Sequence, residues 1–543
     1  MGGAFHVGVV QSTHKISGDA AAGFAAYLTS SSGRGDYYSE GGQGESGPGR
    51  WHGSVRSLGV LGLAPGAVVD RESLVALMRG VSPASGEPLR AVGGGGSRVA
   101  GIDLTFSAPK SVSALWAVSG AYRRVQIEVA HRAAVASALE RTEREVALVR
   151  RRVDGGLRWE YARGLVAAEF VHTASRLTRD QQRGGVPDPQ LHSHLVVLAA
   201  QRVDGRFAAV DSRELFRAAR VNGAWYRAEL AWRLGELGLE VQGRTGRDGR
   251  YFEVAGVPGD LSGRWSARSA DIDAAAQRFR SRYGRDPRAG ELGALTVATR
   301  GTKTLAVQVD VDAAWRAVGE EYALSSDRAA TLFSERPRHE QRPLDAELLA
   351  RVTRDRSMVN GRDLQAHALE LAAGAARPQA MAGVITRLER SGELVRLQGA
   401  MWTTRQLREL EQRTLGTARE RAHDGSQAVP AELVGESVTV AGRQLAGALS
   451  VEQQGALEVL TGRGGVAVLV GEAGTGKGVV ISAARDAWQR DGKRVVATAV
   501  AGATAKRLGA DAHIKQALTT DALLARHASG ELVLDGRTVS GDG

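Results

Sequence analysis

A chain of 543 residues is longer than one hydrophobic core sustains, so about three or four domains are expected, and its 43% hydrophobic content is enough to build them. Lys and Arg outnumber Asp and Glu by 71 to 60, a formal net charge of +11 that favours polyanionic partners, because bound phosphates release condensed counterions. Having no cysteine excludes disulfides and thiolate metal sites; no apolar run is long enough to span a bilayer and the N-terminus has no signal-peptide pattern, so a soluble cytoplasmic protein without membrane insertion is expected.

In chain order, Lys15-Ile16-Ser17-Gly18 leads into an Ala-rich helix ending at Tyr27-Leu28. Residues 33–50, rich in Gly, Ser and Glu, read as a loop that carries Asp36-Tyr37-Tyr38, and Arg50-Trp51-His52-Gly53 follows it. A short helix is predicted over 70–80, a glycine loop over 93–97, and a strand over Ile102–Ser107 from its apolar/polar alternation. Residues 122–150 read as one long amphipathic helix, and 164–172 and 191–200 as strands. Asp204-Gly205 marks a hairpin turn, and 211–240 reads as helix.

The elements to about 300 mix strands and helices. A helical, winged-helix-like region over 305–425 and a linker over 426–445, polar and small in composition, are expected next. The last segment, 446–543, runs helix, strand (466–470), Gly-rich loop, helix, strand (494–500), which is the opening of a parallel, RecA-like P-loop domain.

Three histidines are the first chemical signal. His192 and His194, at i and i+2, share one face of a strand about 7 Å apart, and His172 ends a second candidate strand. Three neutral imidazoles suit a divalent ion and leave positions open for substrate oxygens; taken bare, a His-x-His is more often a surface pair. Tyr27, Tyr37 and Tyr38 are the second signal. A phenol attacks phosphorus only with help, and it is chosen where the product must be a stable but reversible phosphodiester; taken bare, an aromatic pair is usually packing. Asp103, on the 102–107 strand, is placed to accept a phenol proton or to orient a histidine, and Lys110, before the next helix, to contact phosphate. Gly471-Glu472-Ala473-Gly474-Thr475-Gly476-Lys477 fits a phosphate loop that binds ATP, with Gly478 where a magnesium-holding hydroxyl is usual.

The residues Phe170-x-His172-x-x-Ser175-Arg176, then Asp188-Pro189-Gln190-Leu191-His192-x-His194, together with Gly101-Ile102-Asp103-Leu104-Thr105-Phe106-Ser107-Ala108-Pro109-Lys110-Ser111, resemble the MobF-type conjugative relaxases. The tyrosines before Trp51-His52-Gly53 resemble that family's N-terminus. Leu177–Pro187 is longer than the family pattern and reads as a surface insertion. The resemblance implies an α+β relaxase domain over 1–300 with an antiparallel sheet carrying the His-x-His metal site, and nicking of single-stranded DNA at a transfer origin with a divalent metal on His172, His192 and His194. Mg or Mn is implied, and three imidazoles would also take Zn or Ni. It further implies Tyr27 as first nucleophile, Tyr37 as second with Tyr38 as a further candidate, Asp103 beside the metal, a 5′-phosphotyrosine intermediate, later rejoining, and accessory relaxosome and coupling proteins as partners.

Leu449–Gln454, with Gln453, resembles the adenine-reading motif of superfamily 1 helicases, and Ala501–Lys506 resembles their next motif. With no acidic pair after Lys477, the segment is read as the opening part of a helicase domain that does not unwind DNA by itself. The rival readings are a rolling-circle replication initiator or single-strand transposase, a metal-dependent phosphoesterase using water, and a non-catalytic DNA-binding protein.

Overall fold

The computed structural model describes residues 11–19, 21–30, 48–89, 99–153, 156–175, 177–178, 185–243, 250–299, 310–425, 428–445, 447–462, 464–472 and 474–532. The chain divides into two compact units, 1–405 and 406–543.

The first unit opens with strand β1 (Gln11–Ser17), helix α1 (Ala21–Ser30), β2 (Arg50–Gly53), α2 (Val55–Gly59) and α3 (Arg71–Arg79). Asp70 caps α3 by accepting from the Ser73 amide at 2.7 Å. After β3 (Val99–Ser107) come α4 (Lys110–Val118) and α5 (Ala121–Glu145). The helix predicted over 122–150 stops at Glu145, because Leu148–Val153 is taken up as β4, paired with β5 (Gly156–Tyr161). The long strands β6 (Gly164–Ala174) and β7 (Pro189–Gln201) follow, then β8 (Phe207–Ala208) and α6 (Ser212–Glu236), capped by Asp211.

β1, β3, β7, β6 and β2 form one antiparallel sheet in that order, with β8 added to β7. Because side chains alternate, β7 feeds two cores. Leu191, Leu195 and Val197 join Leu115, Ala134 and Tyr226 of α4, α5 and α6 on one face. Val196 and Leu198 join Leu28, Trp51, Leu74 and Phe170 on the other, under α1 and α3.

The same unit continues through β9 (Val241–Gly243), β10 (Phe252–Val254), α7 (Gly259–Arg264), α8 (Ala267–Tyr283), α9 (Ala289–Ala298), α10 (Val311–Glu321) and α11 (Ser326–Ala330). It closes with α12 (Leu344–Val352), β11 (Val359–Asn360), α13 (Gly361–Ala372), α14 (Ala380–Arg390), β12 (Leu394–Leu397) and β13 (Met401–Thr404). These last six run helix, strand, helix, helix, hairpin, with antiparallel order β11-β13-β12, the succession expected of a winged helix. The division expected near 300–305 does not coincide with a break in packing. Trp315 of α10 donates its indole N–H to the Pro187 carbonyl at 2.8 Å, and one apolar core runs from Ile102 to Leu394. The Glu370 side chain, wholly buried on α13, takes Arg220 of α6 at 3.3 Å and Arg351 of α12 at 2.7 Å.

The second unit holds α15 (Arg405–Arg421), α16 (Ala431–Leu445), α17 (Val451–Thr461), α18 (Lys477–Arg490), β14 (Val496–Ala499), α19 (Gly502–Asp511), β15 (Gln516–Thr519) and α20 (Thr520–Ala528). Two expectations are corrected here. The segment 426–445, read as a linker, contains α16, whose Val434, Val438 and Ala441 recur at helical spacing and pack with Leu457 and Val480. Residues 466–470, read as a strand, form none: β14 and β15 pair in parallel with each other, and Val468 and Val470 are exposed. A strand needs a hydrogen-bonding neighbour, and none flanks this stretch among the described residues. No described helix is long and apolar enough to cross a membrane.

Candidate metal centre

Register brings the three histidines together. His172 on β6 lies directly opposite His192 on β7, and His194 lies opposite Phe170 on β6 and Thr105 on β3. Directly paired residues of antiparallel strands project to the same face, so all three rings emerge on the α1 and α3 side of the sheet. Their centroids are 5.0–5.3 Å apart, and one nitrogen from each lies within 4.8 Å of the others.

The Nδ1 atoms of His192 and His194 are held by the protein. His194 Nδ1 contacts Asp103 Oδ2 at 2.8 Å, and His192 Nδ1 contacts the Gln190 carbonyl at 2.8 Å. A carboxylate and a carbonyl only accept, so both Nδ1 atoms carry the proton and both Nε2 atoms keep a lone pair. Burial, reinforced by the neighbouring His194, lowers the His192 pKa to about 3, so the ring is neutral at physiological pH. With one nitrogen of each ring convergent, and His192 and His194 fixed in tautomer by outer partners, these residues fit a divalent cation.

Asp103 is buried on β3, with Thr105 at 3.5 Å. Of its two expected roles, the geometry is that of the orienting one. The Lys110 ammonium, expected to contact phosphate, donates to the Pro189 carbonyl at 3.0 Å. Burial lowers its pKa to about 8, against the opposing pull of Asp188 and Glu253. Tyr27 belongs to α1, the helix whose Ala25 and Leu28 pack on the histidine-bearing face of the sheet. Tyr37 and Tyr38 lie outside the described residues.

Beneath the histidines, on the opposite face, runs a buried polar chain that sequence reasoning missed. Ser193, between the two β7 histidines, donates to Glu169 at 2.7 Å, and His52 of β2 meets the other Glu169 oxygen at 2.8 Å. His131 of α5 contacts Ser193 at 2.8 Å and the Tyr226 hydroxyl of α6 at 2.7 Å. Since Ser193 spends its proton on the carboxylate, His131 donates through Nε2 and accepts from Tyr226 at Nδ1. Burial alone would raise the Glu169 pKa; the bond and charge of His52, the Arg132 charge and the Ser193 hydroxyl outweigh it and hold the group ionised. The partners of His52 and His131 lie far away in sequence, and only the run Glu169 to His172 hinted that this strand is polar on both faces.

In the second unit, Gly474 and Gly476 take positive φ (85° and 80°), and Lys477 opens α18. The Lys477 ammonium rests on the loop carbonyls of Gly471 and Glu472, and the Thr475 hydroxyl donates to Glu472 O at 2.9 Å. Gln453 completes a capping box with Ser450, and its amide nitrogen would lie 2.4 Å from a Cβ added at Gly476. The expected nucleotide residues are thus brought together.

A family model described as TrwC relaxase matches residues 21–322, and one described as AAA domain matches 448–541. The multifunctional conjugation protein TraI of Escherichia coli is 33% identical over 261 residues, 46% of this chain and 13% of TraI. The conjugal transfer protein TraA of Agrobacterium fabrum is 41% identical over 93 residues, 17% of this chain and 8% of TraA. A copper-bound structure of the conjugative relaxase TrwC in complex with oriT DNA is 30% identical, covering 58% of this chain and 99% of that one, with a TM-score of 0.48. The chain thus spans only a small part of the length of these curated relatives.

Proposed function

We infer that this chain, which belongs to the TrwC relaxase family, is a DNA strand transferase that nicks one strand of a transfer origin and later rejoins it. The observation that carries the reading is the convergence of His172, His192 and His194, with Asp103 behind His194, on the sheet face that α1 covers. A divalent cation held by the three imidazoles supplies Lewis-acid polarisation of a phosphoryl oxygen when bound.

The chain's own residues do the rest. The Tyr27 phenol oxygen attacks the scissile phosphorus. The bond from phosphorus to the 3′-oxygen breaks, that oxygen takes up a proton as the phenol loses one, and a 5′-phosphotyrosine remains. Asp103 keeps His194 in the ligating tautomer, and Glu169 and Ser193 brace β6 against β7 from below. Tyr37, with Tyr38 as a further candidate, serves the second transesterification that rejoins the strand. No water attacks, so the energy of the broken bond is retained. Accessory relaxosome and coupling proteins are the expected partners, and the cytoplasm the expected compartment. The family-matched segment is the nicking domain, 344–404 is a winged-helix-like extension of it, and the P-loop unit binds ATP. With Gly478 in place of a hydroxyl, that unit has weak or no magnesium-dependent hydrolysis and does not unwind DNA in this chain alone.

The test is a denaturing gel of the full chain with labelled single-stranded oligonucleotides from a candidate origin, with Mg²⁺, Mn²⁺, Zn²⁺, Ni²⁺ or EDTA. The reading predicts a metal-dependent, protease-sensitive DNA adduct that is lost in Tyr27→Phe and in His192→Ala. Cleavage into two free products would instead point to a phosphoesterase using water.

A further inference from the structure

His192 and His194 are oriented by unlike partners. His194 leans on a carboxylate, Asp103, whereas His192 leans on the backbone carbonyl of Gln190, two residues before it on the same strand. A backbone carbonyl is a fixed acceptor only where its own segment is fixed, and here the sheet does least to fix it. His172 pairs with His192 and Ala174 with Pro189, so Gln190 and Leu191 of β7 stand opposite Thr173 alone on β6. That is a β-bulge, which interrupts the ladder and re-aims side chains. Pro189 has no amide hydrogen to give to the ladder. On the other side, the register between β3 and β7 ends at Ser107 and His192.

Groups from outside the sheet hold the bulge instead. The Lys110 ammonium, from the first residue of α4, donates to the Pro189 carbonyl at 3.0 Å and has the Asp188 and Glu253 carboxylates as charged neighbours. One turn further along α4, the Ser113 hydroxyl oxygen accepts from the Leu191 amide at 3.0 Å, and the Ala108 amide donates to the Leu191 carbonyl at 2.9 Å. Just upstream, Trp315 of α10 donates to the Pro187 carbonyl at 2.8 Å, and the Asp188 carboxylate accepts from the amide of Ala267, the first residue of α8, at 2.9 Å. Gln190 thus sits between two residues, Pro189 and Leu191, that are each tied to α4 or its approach. A cation in the first turn of a helix opposes the helix dipole, so α4 itself gains nothing from the Lys110 charge.

We propose that Lys110 is a positioning residue of the metal centre: by pinning Pro189 it fixes the Gln190 carbonyl, and through that carbonyl the tautomer and aim of His192. Trp315 acts in the same way one step upstream, at Pro187. The inference rests on the reading of the three histidines as metal ligands, but the orientation of the ring is a property of the metal-free chain and is measurable without an ion.

The test uses the full chain labelled with ¹⁵N at its histidines, first in EDTA, with the His192 resonances identified by their loss in His192→Ala. The ¹⁵N shifts of a neutral imidazole report which nitrogen carries the proton. His192 should show the Nδ1–H form. In Lys110→Met, which keeps the stem and removes the donor, it should move toward a mixture of tautomers, and in Trp315→Phe it should move the same way by less. Calorimetric titration with Ni²⁺ should then show an affinity lower by roughly tenfold in Lys110→Met. Gly238→Ala, which destabilises the same unit away from the bulge, should change neither readout. Thermal melting shows which variants fold, and if Lys110→Met does not, the same comparison on Trp315→Phe decides. His192 signals or a Ni²⁺ affinity unchanged in the folded variant would overturn the proposal, as would an equal change in Gly238→Ala. Failure of the unsubstituted chain to bind Ni²⁺ would remove the metal reading, and the spectra in EDTA would still decide whether Lys110 sets the ring.

Discussion

The 2.8 Å contact between Asp103 and His194 decides which nitrogen of that ring is offered to a cation. Asp103→Asn keeps the size but replaces an obligate acceptor with a group that also donates, so the ring loses its preference for the Nδ1–H tautomer. Metal affinity, measured by calorimetric titration of Mn²⁺ or Ni²⁺, is expected to fall by about 10–100-fold, with the circular dichroism spectrum unchanged; an unaltered affinity would show that Asp103 does not orient the ring. His131 gives a second expectation. Burial lowers its pKa to about 4 from an ordinary 6.5, so between those values the unfolded chain binds a proton that the folded chain refuses. The stability tied to neutral His131 is therefore complete above about pH 6.5 and is lost as pH falls toward 4. Denaturant unfolding of the full chain should show a loss of up to about 2 kcal/mol between pH 7 and pH 5 from this group, and the pH dependence should be shallower in His131→Gln. The same slope in that variant would show that the His131 environment is not the cause.

Elements were legible where the information was local, and illegible where it depended on a neighbour. β3 was readable from its alternation and β6 and β7 from their apolar runs, properties of the segments themselves, and with β7 came the shared face of His192 and His194. That His172 stands opposite His192 is a register fact, and no periodicity fixes register between two strands. The run Leu148–Val153 was absorbed into a helix because its charged residues suit either structure, and only β5 decides between them. Residues 466–470 failed the opposite way: their pattern is that of a strand, but none of the described strands pairs with them. Gly238 shows how tertiary fit hides behind a single residue. Its φ is 78°, and an added Cβ would lie 2.0 Å from the Ser334 carbonyl oxygen. Gly238→Ala is expected to cost at least about 2 kcal/mol in denaturant unfolding, since both backbone conformation and contact resist it. At the N-terminus of α18, Gly478 replaces the usual hydroxyl, so ATP affinity by equilibrium dialysis should change less than about threefold on adding Mg²⁺. A tenfold tightening would show that another group holds the ion.

At the scale of the whole molecule, the unit that ends at Arg405 packs both faces of its sheet from protein alone, and the Nδ1 atoms of His192 and His194 already have protein acceptors. EDTA is accordingly expected to abolish nicking while leaving far-ultraviolet circular dichroism unchanged; loss of helix signal on chelation would mean that the cation is structural. The central claim is that a phenol on α1 and an imidazole-held cation act on one phosphorus atom. It is tested most directly by incubating the full chain with origin-derived single-stranded DNA and Mn²⁺, trimming the DNA with nuclease, and mapping the tryptic peptides by mass spectrometry. The account predicts a nucleotide 5′-phosphate ester on Tyr27. Complete cleavage of the DNA with no nucleotide on any tyrosine would contradict it.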